Sequence, residues 1–205
     1  MEGASVEENN AMKQKLLESL ATLNVDADWE EMADCHINVE DANANSMKAF
    51  RRDGEAASGF MMKMEMTFPH IDHETFFELM TNFDERQKWD SRWEKLEVLE
   101  RDDAQKCGVV YMISPKPPIP VVTQREIILK TFTIPNGLGD GKHIQIAKSV
   151  EHASKPQGEG YFDYVRGNLH LMALIVEKNP NGPGTRAVEL RNIDLCGSIV
   201  ATISH

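Results

Sequence analysis

The sequence is poor in the features that mark several large classes of protein. It holds three cysteines, Cys35, Cys107 and Cys196, far apart and odd in number. No CxxC or Cys/His pair has zinc-ligand spacing, so a disulfide scaffold and a zinc finger are both excluded and a reduced intracellular setting is the simplest reading. Its apolar runs fall far short of the roughly 18 residues that span a bilayer. The start, MEGASVEENN, lacks the basic-then-apolar order of a signal peptide, and Glu2 excludes an N-myristoyl glycine. Basic residues are also scarce: 22 Lys and Arg face 33 Asp and Glu, for a net charge of −11. That excludes general nucleic-acid binding, which needs a basic face to displace counterions from phosphates, and it excludes a polybasic membrane anchor. No GxSxG elbow, P-loop or GxGxxG motif occurs, and no repeat or low-complexity tract.

What is present fits one globular domain. The chain has 205 residues, 41% hydrophobic and 27% charged, enough to bury roughly 70% of its unfolded surface. The acidity is concentrated at one end. Residues 1–46 carry eleven acids and two bases, or −9, leaving −2 for the other 159 residues. A nearly neutral body permits transient membrane contact. A cytoplasmic monomer is expected, with no cofactor.

Residues 1–10 read as a flexible N-terminus. Behind the potential caps Asn9 and Asn10, residues Met12, Leu16, Leu17, Leu20 and Leu23 recur at helical spacing. A short helical stretch is expected around Trp29–Ala33, and a loop at 40–46. Phe60, Met62, Met64 and Met66 then alternate with Met61, Lys63, Glu65 and Thr67, as in a strand with one buried face. Asp72 caps a helix whose stripe is Phe76, Phe77, Met80 and Phe83. Strands follow at about 94–101, 107–113, 123–134, 143–151, 160–165, 168–176 and 185–193. PKPPIP, PNGLGDG and NPNGPG supply turns between them. This pattern is α+β with a mostly antiparallel sheet.

Four segments carry a resemblance. They are Phe68–Glu100, with Arg86-Gln87-Lys88-Trp89-Asp90 as an R-x-x-W-D turn, and Pro120–Ile127, with Arg125 and Glu126. The others are Lys148–His152 followed by Gly160 and Tyr161, and Asp194–Ile199. In this order and spacing, 11–205 resembles a single START (StAR-related lipid-transfer) domain. The resemblance implies a helix-grip fold, a curved antiparallel β-sheet around a lipid cavity. It also implies non-catalytic binding and transfer of one sterol or phospholipid-like lipid. The sequence departs from the pattern in four places. Glu126 replaces an Asp, and Asp163 stands at an arginine position, with Val165-Arg166 as the shifted equivalent. Ser198-Ile199-Val200 lacks a proline, and the chain ends at His205 where the family continues into its C-terminal closing helix. That helix is therefore expected to be missing.

The lipid-binding candidates are Arg125, Arg86, Met80, Met64, Met66, Met112, Ile127 and His170. Arg125 shares a strand face with Val121, Thr123, Ile127 and Leu129, and a buried guanidinium needs a partner. That partner is either a lipid headgroup oxygen or water, or a core carboxylate such as Glu100, Asp102 or Asp103. The resemblance makes Arg86 a phosphate contact; its alternative is a surface arginine beside Asp84 and Glu85. Met80 stands where choline-binding relatives place an aromatic ring, so a choline cage is not expected. Methionines suit a wall that fits aliphatic ligands, or ordinary core filling. His70, Asp72 and His73 fit no established metal pattern, and Asp72 already serves as a cap. Two other readings remain open: a hydrolase or cyclase on the same scaffold, and a degenerate START module used for protein interaction.

Overall fold

The computed structural model describes residues 5–23, 28–38, 40–41, 43–53, 60–117, 122–137, 139, 141–156 and 164–196. Helix α1 spans Val6–Leu23. It begins earlier than Asn9 and Asn10 suggested, because Ser5 and Glu8 form a reciprocal capping box. The Glu8 amide donates to Ser5 Oγ at 3.3 Å, and the Ser5 amide donates to Glu8 Oε2 at 2.8 Å. Asn9 is instead a buried helix residue that reaches Gln105. The expected helical stretch near Trp29 is a two-residue strand, β1 (Glu30–Glu31), followed by a 3-10 turn at Ala33–Cys35. Asp28 adopts φ 71°, which takes the chain out of helical geometry there.

The remaining strands are β2 (Ser46–Asp53), β3 (Phe60–Phe68), β4 (Lys95–Asp102), β5 (Cys107–Ile113), β6 (Gln124–Ile134), β7 (His143–Ser149), β8 (Tyr164–Arg166), β9 (Asn168–Lys178) and β10 (Thr185–Asp194). They form one sheet in the order β1-β2-β3-β10-β9-β7-β6-β5-β4. Every pair along this path is antiparallel, and β8 adds to β6 in parallel. Strands β3 and β4 are thus consecutive in sequence yet distant in the sheet. The chain between them crosses one face as α2 (His73–Thr81) and α3 (Phe83–Trp89). The α2 N-cap is Asp72, whose carboxylate accepts from the Thr75 amide at 2.9 Å. Phe83 does not continue the α2 stripe: Asn82 ends α2 and caps α3, so Phe83 opens the second helix.

Helices cover both faces of the sheet. On one, Leu16 and Leu20 of α1 pack on Phe132, Ile144, Ile146, Ala173 and Leu190. On the other, Phe76, Phe77 and Met80 of α2 pack on Leu174, Val176 and Ala187. Burial from both sides is why β6 is continuously buried from Arg125 to Phe132. It also corrects the reading of β3. Its best-buried residues are Met61 (3% exposed) and Lys63 (6%), whereas Met62, Met64 and Met66 are half-buried on the α2 face. Lys63 is tolerated because its ammonium lies 4.7 Å from the Phe50 ring and 5.5 Å from the Trp29 ring, and pairs with Glu65. Segments 118–121, 157–163 and 197–205 lie outside the described residues. With them go Pro120, Val121, Gly160, Tyr161, Asp163, the start of the expected strand at 160–165, and the region of the closing helix.

Candidate functional site

The α2 face is built in rows of directly opposed residues. One row runs Met64, Glu189, Leu174, Gln145, Thr133 across β3, β10, β9, β7 and β6. The row toward the α2 N-terminus runs Met66, Ala187, Val176, His143. The row on the other side runs Met62, Arg191, Met172, Ala147, Thr131. Beyond it lies a second apolar cluster containing Met112, Ile127, Leu129, Leu169 and Ile193, with Phe83 and Trp93 against it.

Polar groups interrupt this apolar surface at few points. Gln145 has no exposed surface, and neither its amide nitrogen nor its oxygen has a hydrogen-bond partner among the described residues. Glu189, 4% exposed, accepts from Arg191 Nε at 2.7 Å. At the helix junction Arg86 Nε donates to Asp90 Oδ2 at 2.7 Å, and Nη1 donates to the Met80 carbonyl at 3.2 Å. Arg92 donates to both Asp90 oxygens, at 2.7 and 2.8 Å. Burial alone would raise the Asp90 carboxyl, but the bonds from Arg92 and Arg86 outweigh it and hold the group at about 2. On the α2 flank, a half-open pocket of about 440 Å³ is lined by Phe68, Ile71, Phe76, Leu79, Met80 and Trp89, with Asn45 and His70 at its edge.

The expected site residues divide between these places. Met66 and Met80 meet on the α2 face, Met64 shares that face opposite Glu189, and Met112 lies opposite Ile127 in the second cluster. Arg86 belongs to the buried helix junction and is 4% exposed, so it is not the surface arginine of the alternative reading. Arg125 pairs with none of Glu100, Asp102 or Asp103. Its guanidinium donates to the carbonyls of Leu195 and Cys196, both at 3.0 Å, and of Thr123, holding the two residues that follow β10. Glu100 instead meets His152, and Asp102 meets Gln105. His170 is exposed on β9. Arg166 Nε donates to Glu126 Oε1 at 2.9 Å, and Tyr111 donates to Glu126 Oε2 at 2.6 Å. Asp72 caps its helix and His70 meets the Asn43 carbonyl, so the HIDH run is not one metal site.

Sequence reasoning missed Gln145, Glu189 and Arg191. Gln145 and Glu189 alternate with apolar neighbours, and Arg191 is followed by Asn192, patterns that normally assign the polar residue to solvent. On the face that α2 packs against, Gln145 and Glu189 are nevertheless buried and Arg191 is half-buried.

Comparison with known proteins agrees with this architecture. The human and mouse StAR-related lipid transfer protein 7, mitochondrial, are each 23% identical over 129 residues, 63% of this chain. The match spans 33% of the length of those relatives. Human StAR-related lipid transfer protein 5 superimposes with a TM-score of 0.74 at 19% identity, covering 92% of this chain and 83% of that structure. Human STARD10 does so with a TM-score of 0.66 at 17% identity, covering 97% and 71%. Both structures share the fold. The START domain profile matches residues 9–205, so the chain belongs to the START domain family.

Proposed function

We propose that this chain binds one sterol or phospholipid-like lipid against the α2 face and transfers it between membranes without covalent chemistry. It acts as a cytoplasmic monomer whose membrane contact is transient. The observation that carries the reading is Gln145. An amide with no exposed surface and no partner among the described residues costs about 1–3 kcal/mol for each unsatisfied group. Such a group is retained where something else supplies its bonds, and a lipid hydroxyl or amide matches its donor and acceptor together. Apolar walls on either side take the rest of the molecule. Met64, Met66 and Met80 adapt to its shape on one side, Met112 and Ile127 on the other. The arginines of this face are a poorer match to a phosphate, because Arg86 and Arg92 are already bonded to Asp90, and Arg191 to Glu189. Arg125 acts in this reading as the tether of Leu195 and Cys196.

The chemistry of the buried ionisable groups favours carriage over catalysis. Asp90 is held ionised far below neutrality, and burial together with Glu126 pushes the Tyr111 hydroxyl well above its ordinary value. Neither exchanges a proton near pH 7, as an acid–base pair would have to. The test is lipid transfer between donor and acceptor vesicles of defined headgroup, with wild type and Gln145→Leu. Transfer of hydroxyl- or amide-headed lipids that falls about tenfold or more in the variant supports the reading. Absence of transfer for every lipid class overturns it.

A further inference from the structure

The chain holds a trio of metal-ligating side chains that lipid carriage does not use. His73 and Glu74, in the first turn of α2, meet His143, the first residue of β7. One potential ligand atom from each lies within 4.8 Å of the others. The two imidazoles are 5.4 Å apart, and His143 is further fixed by stacking on Phe77 at 5.0 Å. Both histidines are half-buried, while Glu74 is exposed. We propose that His73, Glu74 and His143 bind a late first-row divalent cation of the Zn²⁺ type, pinning the first turn of α2 to β7.

The ligand set defines the metal. Two imidazoles and one carboxylate suit Zn²⁺ and its neighbours, whereas Ca²⁺ and Mg²⁺ take oxygen ligands. Bonds of about 2.0–2.2 Å to a tetrahedral ion put its ligand atoms about 3.4 Å apart. The trio must therefore close from 4.8 Å by rotating side chains, which the exposed Glu74 is free to do. A helix N-terminus opposes a cation. Here Glu74 ligates directly, and the Asp72 carboxylate sits at the cap of the same turn. Lys142 is the adjacent cation, and its ammonium lies 3.5 Å from Glu177. The Asn136 amide approaches His143 Nδ1 at 3.4 Å, a long contact that ligation through either ring nitrogen gives up cheaply. Three protein ligands leave a fourth position for water. Because α2 covers the lipid-facing side of the sheet, the ion would hold that cover closed.

The probe is Co²⁺, whose visible absorption reports coordination, backed by Zn²⁺ calorimetry on the full chain. We expect one saturable site per chain in which Zn²⁺ displaces Co²⁺. His143→Ala should abolish it. Glu74→Gln, a change at an exposed position that leaves the fold intact, should weaken it by at least the roughly 10–100-fold that losing even an outer-shell partner costs. His70→Ala should leave it unchanged, since His70 faces the Asn43 carbonyl. A chain that binds no Co²⁺ or Zn²⁺ at one equivalent, or whose affinity survives both Glu74→Gln and His143→Ala, overturns the proposal.

Discussion

Asp90→Asn should be among the most damaging single changes at the helix junction, and the structure sets the scale. The carboxylate is bonded by two arginines of very different exposure. Arg86 is 4% exposed, whereas the Arg92 side chain is 49% exposed. Neutralising Asp90 leaves the Arg86 charge buried without its ion-pair partner, facing the Met80 carbonyl, the Phe83 ring at 6.0 Å and the charge of Glu189. Stranding a buried charge costs about 3–5 kcal/mol, a large share of the roughly 5–15 kcal/mol that typically separates folded from unfolded chains. For a chain of this length that is a fall in Tm of roughly 6–20 °C. Arg92→Met removes the other arm of the same cluster, but from a partly solvated position, and should cost only about 0–1 kcal/mol. Arg86→Met combined with Asp90→Asn should recover part of the loss, because the stranded charge is gone. Thermal and urea unfolding followed by circular dichroism measure all three. The reasoning is refuted if Asp90→Asn melts within about 2 °C of wild type, or if Arg92→Met is as costly.

The same carboxylate predicts a pH dependence. Its folded value of about 2 lies below the ordinary 3.8, so its contribution is complete above about pH 4 and is lost as pH falls through about 2. Wild type should lose up to about 2 kcal/mol over that window, and Asp90→Asn should lack this part of the slope in acid-titrated urea melts. Gln145→Leu should stabilise the lipid-free chain by about 1–3 kcal/mol, because an unpaired buried amide is removed, while weakening lipid binding; opposite signs in unfolding and binding assays are the check. Arg125→Met should release the Leu195 and Cys196 carbonyls. It should speed hydrogen exchange at the Cys196 amide, now bonded to Asp194 Oδ1 at 2.8 Å, with little change at β7 or β9.

Local signals carried much of the architecture in the sequence. Asp72 and the Phe76–Phe77–Met80 stripe specify α2 without help from the rest of the chain, and the β-rich half is punctuated by turns such as NPNGPG. Gly184 in that turn has φ 81°, and a side chain there would strike the Phe68 carbonyl, so the hairpin is encoded residue by residue. The misses are non-local. Strand β2 has Lys48, Arg51, Arg52 and Asp53 among its eight residues and no apolar alternation. It is a strand because β3 and β1 pair with it. Met61 and Lys63 looked like the solvent side of β3, but Arg52 covers Met61, and Trp29 and Phe50 cover Lys63. At the candidate site, the shared face of Met62, Met64 and Met66 was legible from the strand period. Gln145, Glu189 and the half-buried Arg191 were not, because their cover comes from a crossover between strands that lie far apart in the sheet. His143 lies 70 residues from His73, so no spacing rule could have joined them.

The central claim is that the α2 face holds a lipid whose polar end meets Gln145. Native mass spectrometry of the full chain after incubation with mixed-lipid vesicles addresses it most directly. The account predicts one lipid per chain, selected for a hydroxyl or amide headgroup, with that occupancy lost in Gln145→Leu while the variant remains folded. A chain that takes up no lipid, or whose occupancy and headgroup selection are the same in Gln145→Leu, would contradict it.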